Sequence, residues 1–301
     1  MCRRSPHQCD QTVRYFREIE FKEPRQLQIN SARNLHFVLH LDLTRPLSQL
    51  YSSDIHHTAP QKILLLNMKV YKFGGTSVGS PERMKEVSRL ITEDGEPKIV
   101  VLSAMSGTTN SLVEIADYLR KGNPEGASNM VNRLHNLYKQ HLPLLYSKEE
   151  TTTKVRERLD NLFLQLHEFR TREFSEADEK AILAQGEIMS TNMVTEYLKE
   201  CGVKAILLPA LDYMRLDVNG EPDLPYIRER LAYLLDKNPD YDIYITQGFI
   251  CRNADGQIDN LQRGGSDYTA SLIGAAIRAN EIQIWTDIDG MHNNDPRFVE
   301  G

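Results

Sequence analysis

The chain has 301 residues, of which 40% are hydrophobic and 26% charged, with a formal net charge of -6. That composition suits a globular protein with a sizeable core, and the negative balance argues against a general nucleic-acid binder. Cys2, Cys9, Cys201 and Cys251 show no metal-ligand spacing, and no apolar run reaches the length of a membrane span. A reduced, cytoplasmic chain with no nucleic-acid or membrane partner is the expectation.

Residues 1–67 differ from the rest of the chain. They hold five of the nine histidines, no glycine and an excess of basic over acidic residues, with no clear hydrophobic period. They are expected to be an N-terminal extension, disordered or loosely packed, or upstream sequence read through a mis-set start at which Met68 is the true initiator. Residues 68–301 are expected to form the catalytic domain.

From Met68 the elements follow in order. Lys69–Phe73 reads as a strand, and Lys72-Phe73-Gly74-Gly75-Thr76-Ser77 turns it toward a helix that starts at Ser80-Pro81-Glu82 and runs to about Thr92. Lys98–Leu102 is a nearly unbroken apolar run, as in a buried parallel strand. A small polar turn, Ser103-Ala104-Met105-Ser106-Gly107-Thr108-Thr109-Asn110, precedes a helix through Leu112 and Leu119. Residues 125–171 are helical, with a turn expected at Glu149-Glu150-Thr151. Ser175-Glu176-Ala177-Asp178 caps a long helix to Lys199. Lys204–Leu208 and Tyr241–Thr246 read as strands, Gln247 onward as a ribbon turning at Asp255-Gly256, Tyr268–Ala279 as a helix and Ile282–Trp285 as a strand. The alternation is that of an α/β protein with a mainly parallel sheet, whose ligands collect at the carboxyl ends of the strands.

Three stretches carry chemistry. The strand, glycine turn and helix start after Val70 form an anion cradle in which Gly74, Gly75, Thr76 and Ser77 bring backbone amides close and Lys72 adds a full charge. The lysine precedes the glycines here, whereas in a P-loop it follows them. Arg263-Gly264-Gly265-Ser266-Asp267 repeats the close-approach pattern, with a guanidinium that matches a carboxylate and an aspartate read both as a helix cap and as a holder of Lys72 or of a substrate ammonium. Glu187 follows Gly186 in a stretch of small and apolar residues, where a buried carboxylate needs a cation such as a substrate ammonium. Ser103, Ser106, Thr109 and Asn110 either satisfy their own turn or bind a carboxylate or phosphate. Thr286 and Asp287 follow a strand, and Asp295-Pro296-Arg297 reads as a turn from which Arg297 reaches a phosphate.

Taken in order from Met68 to Gly301, these blocks resemble the aspartate kinase family of the amino-acid kinase superfamily. The resemblance implies a three-layer αβα sandwich, incomplete at the C-terminus. It implies ATP-dependent phosphorylation of the L-aspartate side-chain carboxylate to 4-phospho-L-aspartate, the first step toward lysine, threonine and methionine. Lys72 and Asp267 would be catalytic. Arg263 would take the α-carboxylate and Glu187 the α-ammonium, with Ser103, Thr109 and Ser266 in the aspartate pocket. Lys72, Gly74, Gly75, Thr76, Ser77, Thr286, Asp287 and Arg297 would hold ATP, with Mg²⁺ on the phosphates and no residue assigned as a metal ligand. The partners implied are small molecules, and a homo-oligomer is compatible with the resemblance.

Two departures stand out. Gln262 precedes Arg263 where many relatives have glycine, and family members continue past the Asp-Pro-Arg block into more of the nucleotide lobe and regulatory domains. The early stop leads to an expectation of reduced activity or none, without lysine or threonine feedback. The alternatives are a superfamily relative acting on glutamate, acetylglutamate, carbamate or a nucleotide, and an inactive fragment.

Overall fold

A computed structural model of the chain describes residues 68–261 and 265–285. Residues 1–67, the segment 262–264 and residues 286–301 lie outside the described residues, and with them the expectations for the N-terminal segment, Arg263, Thr286, Asp287 and Arg297.

Five parallel strands form the central sheet: β1 (Lys69–Phe73), β2 (Lys98–Leu102), β3 (Ala205–Leu207), β4 (Ile243–Gln247) and β7 (Glu281–Trp285), in spatial order β3-β4-β2-β1-β7. The two short strands β5 (Ile250–Arg252) and β6 (Ile258–Asn260) form a separate antiparallel hairpin. The helices are α1 (Pro81–Thr92), α2 (Thr108–Arg120), α3 (Pro124–Leu145), α4 (Glu149–Glu168), α5 (Glu176–Glu200), α6 (Leu224–Lys237) and α7 (Gly265–Ile277).

The two-residue period of the strands sorts their side chains into two cores. Tyr71, Phe73, Val100, Leu102, Ile243 and Ile245 pack into one cluster with apolar residues of α1 to α5. Val70, Ile99, Val101, Tyr244, Ile282 and Ile284 pack into the other, with α6, α7 and Ala184 of α5. Both faces of the sheet are therefore covered, and the αβα layering is present as expected. Lys72 falls in the same alternation as Val70, so its side chain leaves the sheet on the α7 face.

Helix starts follow local chemistry. Ser80 accepts from the Arg83 amide, and Pro81 is at the first helical position of α1. Ser175 and Asp178 form a reciprocal capping box that starts α5. The Glu149-Glu150-Thr151 segment, expected as a turn, is the first turn of α4, and the chain reverses over Tyr146–Lys148 instead. Two acidic residues in a first turn interact favourably with the helix dipole, which explains the difference. Helix α6 has no counterpart in the sequence-based assignment. Asp223 caps it, Pro225 lies in its first turn, and Ile227, Leu231 and Leu235 line its buried stripe. At about 1.5–3 kcal/mol for each fully buried aliphatic side chain, that stripe decides the helix.

Candidate active site

The carboxyl ends of β1, β2 and β4, one face of α5 and the head of α7 converge. The chain leaves β1 for β2 through α1 on one face of the sheet and reaches β7 from α7 on the other. Such a reversal of winding marks the usual ligand position in sheets of this kind, here at the carboxyl end of β1.

Within the turn after β1, the Gly74 carbonyl accepts from the Ser77 amide at 3.0 Å and the Gly75 carbonyl from the Ser106 amide at 3.1 Å. A trans peptide sets its N–H opposite its C=O, so the Gly75 and Thr76 amides point away from those donors. A Cβ on Gly75 would stand 2.8 Å from the Ala104 carbonyl oxygen. The turn after β1 and the turn after β2 therefore touch backbone to backbone, and only glycine fits. Thr76 is exposed and Ser77 half-buried.

Lys72 is 8% exposed, yet its ammonium lies 2.7 Å from Asp267 Oδ1. It also sits 3.5 Å from where a Gly74 Cβ would be, so the charge lies over the glycine turn. A second buried lysine makes the contrast. Lys98, at the amino end of β2, gives its ammonium to the Ile91 and Glu96 carbonyls at 2.8 Å and to Asp94 at 2.5 Å. An ammonium has three donors, and those of Lys98 are all taken. Among the described residues Asp267 is the partner of Lys72.

Asp267 lies inside the first turn of α7, which begins at Gly265 and not at Tyr268. Its expected role as the cap gives way to a carboxylate that faces the lysine. Ser266 is buried and accepts from the Ser103 hydroxyl at 2.9 Å. A Cβ on Gly248 would fall 2.3 Å from the Ser266 side chain and 2.7 Å from its Cα. The end of β4, the turn after β2 and the head of α7 are thus locked together. Phe249, at φ 69°, has its amide held by the Thr269 hydroxyl at 2.9 Å.

Glu187 is 5% exposed on the inner side of α5. Burial pushes its carboxyl up to about 7, while the Ala104 amide and its own amide pull the other way. Gly186 beside it gives way to Ala104, whose Cβ is 2.7 Å from the position a Gly186 Cβ would take. Ser190, one turn on, donates to the Ser103 carbonyl at 2.8 Å. Thr109 is exposed in the first turn of α2, whereas its neighbour Thr108 turns inward.

Beneath this cluster runs a buried polar chain that was not among the expected site residues. Gln247 accepts from the Ala210 amide at 2.7 Å and donates to the Thr191 hydroxyl at 2.8 Å, which in turn donates to the Glu187 carbonyl at 2.7 Å. A glutamine closing an otherwise apolar strand just before glycine was the available signal.

Lys72, Gly74, Gly75, Ser103, Glu187, Ser266 and Asp267 are therefore linked through direct contacts between their loops and helices. Such a cleft can neutralise an anion at the glycine turn and hold a small polar molecule between the turn after β2, α5 and α7.

The αβα sheet carries a lysine-marked glycine turn that faces a glycine-serine helix head. The chain belongs to the amino acid kinase family, whose pattern it matches over residues 67–301. It is 34% identical over 233 residues to lysine-sensitive aspartokinase 3 of Escherichia coli, an alignment that covers 76% of this chain and 51% of that protein. It is 31% identical over 238 residues to an aspartokinase of Chlamydia trachomatis, covering 77% of this chain and 51% of the relative. The crystal structure of Escherichia coli aspartokinase III in complex with aspartate and ADP superposes with a TM-score of 0.68 at 33% identity, over 77% of this chain and 52% of that one. The chain spans about half the length of the curated relatives it matches.

Proposed function

We propose that the chain carries the catalytic unit of an aspartate kinase, which transfers the γ-phosphoryl group of ATP to the side-chain carboxylate of L-aspartate and releases ADP and 4-phospho-L-aspartate. The observation that carries this reading is the Lys72 ammonium, poised over Gly74 and paired with Asp267. It is supported by the aspartokinases to which the chain is similar and by the aspartate and ADP in one of their structures.

The acceptor carboxylate is ionised at neutral pH, so the reaction needs no strong base. The obstacle is the approach of two anions, and the remedies are in-line placement and charge neutralisation. In this reading Lys72 stabilises the transferring phosphoryl group and Asp267 orients the lysine. The Gly75 and Thr76 amides, which point away from the contact between the turns after β1 and β2, cradle phosphate, Gly74 keeps the turn open beneath Lys72, and Ser77, whose amide is taken by the Gly74 carbonyl, offers its hydroxyl. Ser103, Ser266 and Thr109 line the amino-acid pocket. Glu187, ionised by the arriving cation, holds the α-ammonium, and Arg263 takes the α-carboxylate. Thr286, Asp287 and Arg297 complete the nucleotide site.

In this reading a Mg²⁺ would depend mainly on the phosphates for its ligands, since Asp267 is engaged by Lys72. Bound there, the ion supplies further charge neutralisation. The product is an activated carboxylate for the synthesis of lysine, threonine and methionine in the cytoplasm.

The test is ADP release by the 301-residue chain with L-aspartate, L-glutamate or N-acetylglutamate, with hydroxylamine trapping of the acyl phosphate. Aspartate-dependent release, even at the reduced rate expected from the sequence, supports the reading, and Lys72→Ala should lower kcat by about a further 10²–10³-fold. Preference for glutamate or acetylglutamate would reassign the substrate. No turnover from a well-folded sample would support an inert fragment.

A further inference from the structure

Tyr138, in the middle of α3, has no exposed surface. Its neighbours along the buried stripe are Leu134 and Leu142, so an apolar residue would fill the position without a polar atom to satisfy. The phenol instead shares a hydrogen bond of 3.0 Å with the hydroxyl of Thr108, which is also buried. A buried phenol needs such a partner, and the partner here is the first residue of α2, directly after the Ser103–Gly107 turn.

Thr108 and Ala104 both press on α5 at one point. The Thr108 methyl lies 3.4 Å, and the Ala104 Cβ 2.7 Å, from the position of a Gly186 Cβ. The next residue is Glu187, so the contact at Gly186 sets where its buried carboxyl lies. Burial holds the Tyr138 phenol well above its ordinary value, and the nearby Glu187 charge adds to that effect.

We propose that Tyr138 and Thr108 are a positioning pair for the amino-acid pocket. Their bond ties the first turn of α2 to α3, and so holds Thr108 and Ala104 against Gly186 of α5 and fixes the Glu187 carboxyl where a substrate ammonium is received. Neither side chain touches the substrate in this account. The inference rests on the proposed role of Glu187.

Tyr138→Phe removes the hydroxyl and keeps the ring. In steady-state kinetics of the full chain it should raise the aspartate KM about fivefold, the equivalent of one hydrogen bond, with kcat and the ATP KM unchanged. Thr108→Val should do the same, Thr108→Ser should restore the parent KM, and the double variant should be no worse than either single one. An unchanged aspartate KM, or aspartate and ATP KM values rising together with a fall in Tm, would overturn the proposal.

A separate readout keeps this apart from the proposed reaction. If the parent chain phosphorylates no aspartate, the functional reading fails. The clamp is then tested by NMR titration of the Glu187 carboxyl. Its midpoint should move in Tyr138→Phe from about 7 toward the ordinary carboxylate range as water enters. An unmoved midpoint would refute the clamp.

Discussion

Lys72 and Lys98 sit one strand apart, are both buried, and differ in what satisfies them. Lys98 is saturated by two carbonyls and a carboxylate at the amino edge of the sheet, which is a structural arrangement. Lys72 is directed to the carboxyl edge and has Asp267 as its described partner. Glu187 is the buried carboxyl of the same cluster, and burial raises it to about 7. Its raised value makes stability depend on pH. Between about pH 4.5 and 7 the unfolded chain has lost this proton while the folded chain retains it. The unfolded state then binds fewer protons, so stability falls as pH rises through this window and levels off above it. A displacement from 4.5 to about 7 corresponds to about 3 kcal/mol. Glu187→Gln should therefore gain stability relative to the parent as pH rises from 5 to 8, by up to that amount in urea unfolding. A difference that does not vary with pH would show that Glu187 is not held neutral.

At the scale of elements, the turns after β1 and β2, the Gly186 segment of α5 and the head of α7 are held by close backbone approach. Gly186→Ala tests this packing directly. The added methyl meets Ala104 at 2.7 Å, so overpacking should cost about 1–3 kcal/mol in chemical unfolding. Gly256→Ala, in the hairpin between β5 and β6, meets nothing within 4 Å, and its cost should come from its φ of 80° alone. A Gly186→Ala protein as stable as the parent would mean that α5 and the turn after β2 are not in contact. Elements whose signals are local were readable in the sequence. The apolar runs of β1 and β2, Ser80-Pro81 before α1 and the Ser175–Asp178 capping box each act within a few residues. Helix α6 was missed although Asp223, Pro225 and the Ile227–Leu231–Leu235 spacing are local too, because the polar and aromatic residues between them obscured the period. The start of α7 was placed three residues late because two glycines precede it, and glycine reads as loop until packing against β4 fixes it.

Across the whole molecule, the sheet order explains why motifs far apart in the chain become neighbours. β1 lies between β2 and β7, and α7 covers the face to which Lys72 points. Parallel pairing of β1 with β7 joins residues more than two hundred positions apart. Lys72 was one of two partners expected for Asp267 from charge alone, the other being a substrate ammonium, and the structure brings the lysine to it. The chain from Ser103 to Ser266 and Ser190, the Gln247–Thr191–Glu187 relay and the Tyr138–Thr108 bond were not anticipated. Each depends on which layers stack, and no local pattern encodes that. Among the described residues no helix is long and apolar enough to cross a membrane.

The most direct test is a crystal structure of the chain grown with L-aspartate, ADP and Mg²⁺. The account predicts the nucleotide phosphates on the Gly74–Ser77 turn, the aspartate side-chain carboxylate beside Lys72, and its ammonium against Glu187. Aspartate or nucleotide bound away from Lys72, with the Lys72–Asp267 pair facing empty solvent, would contradict it.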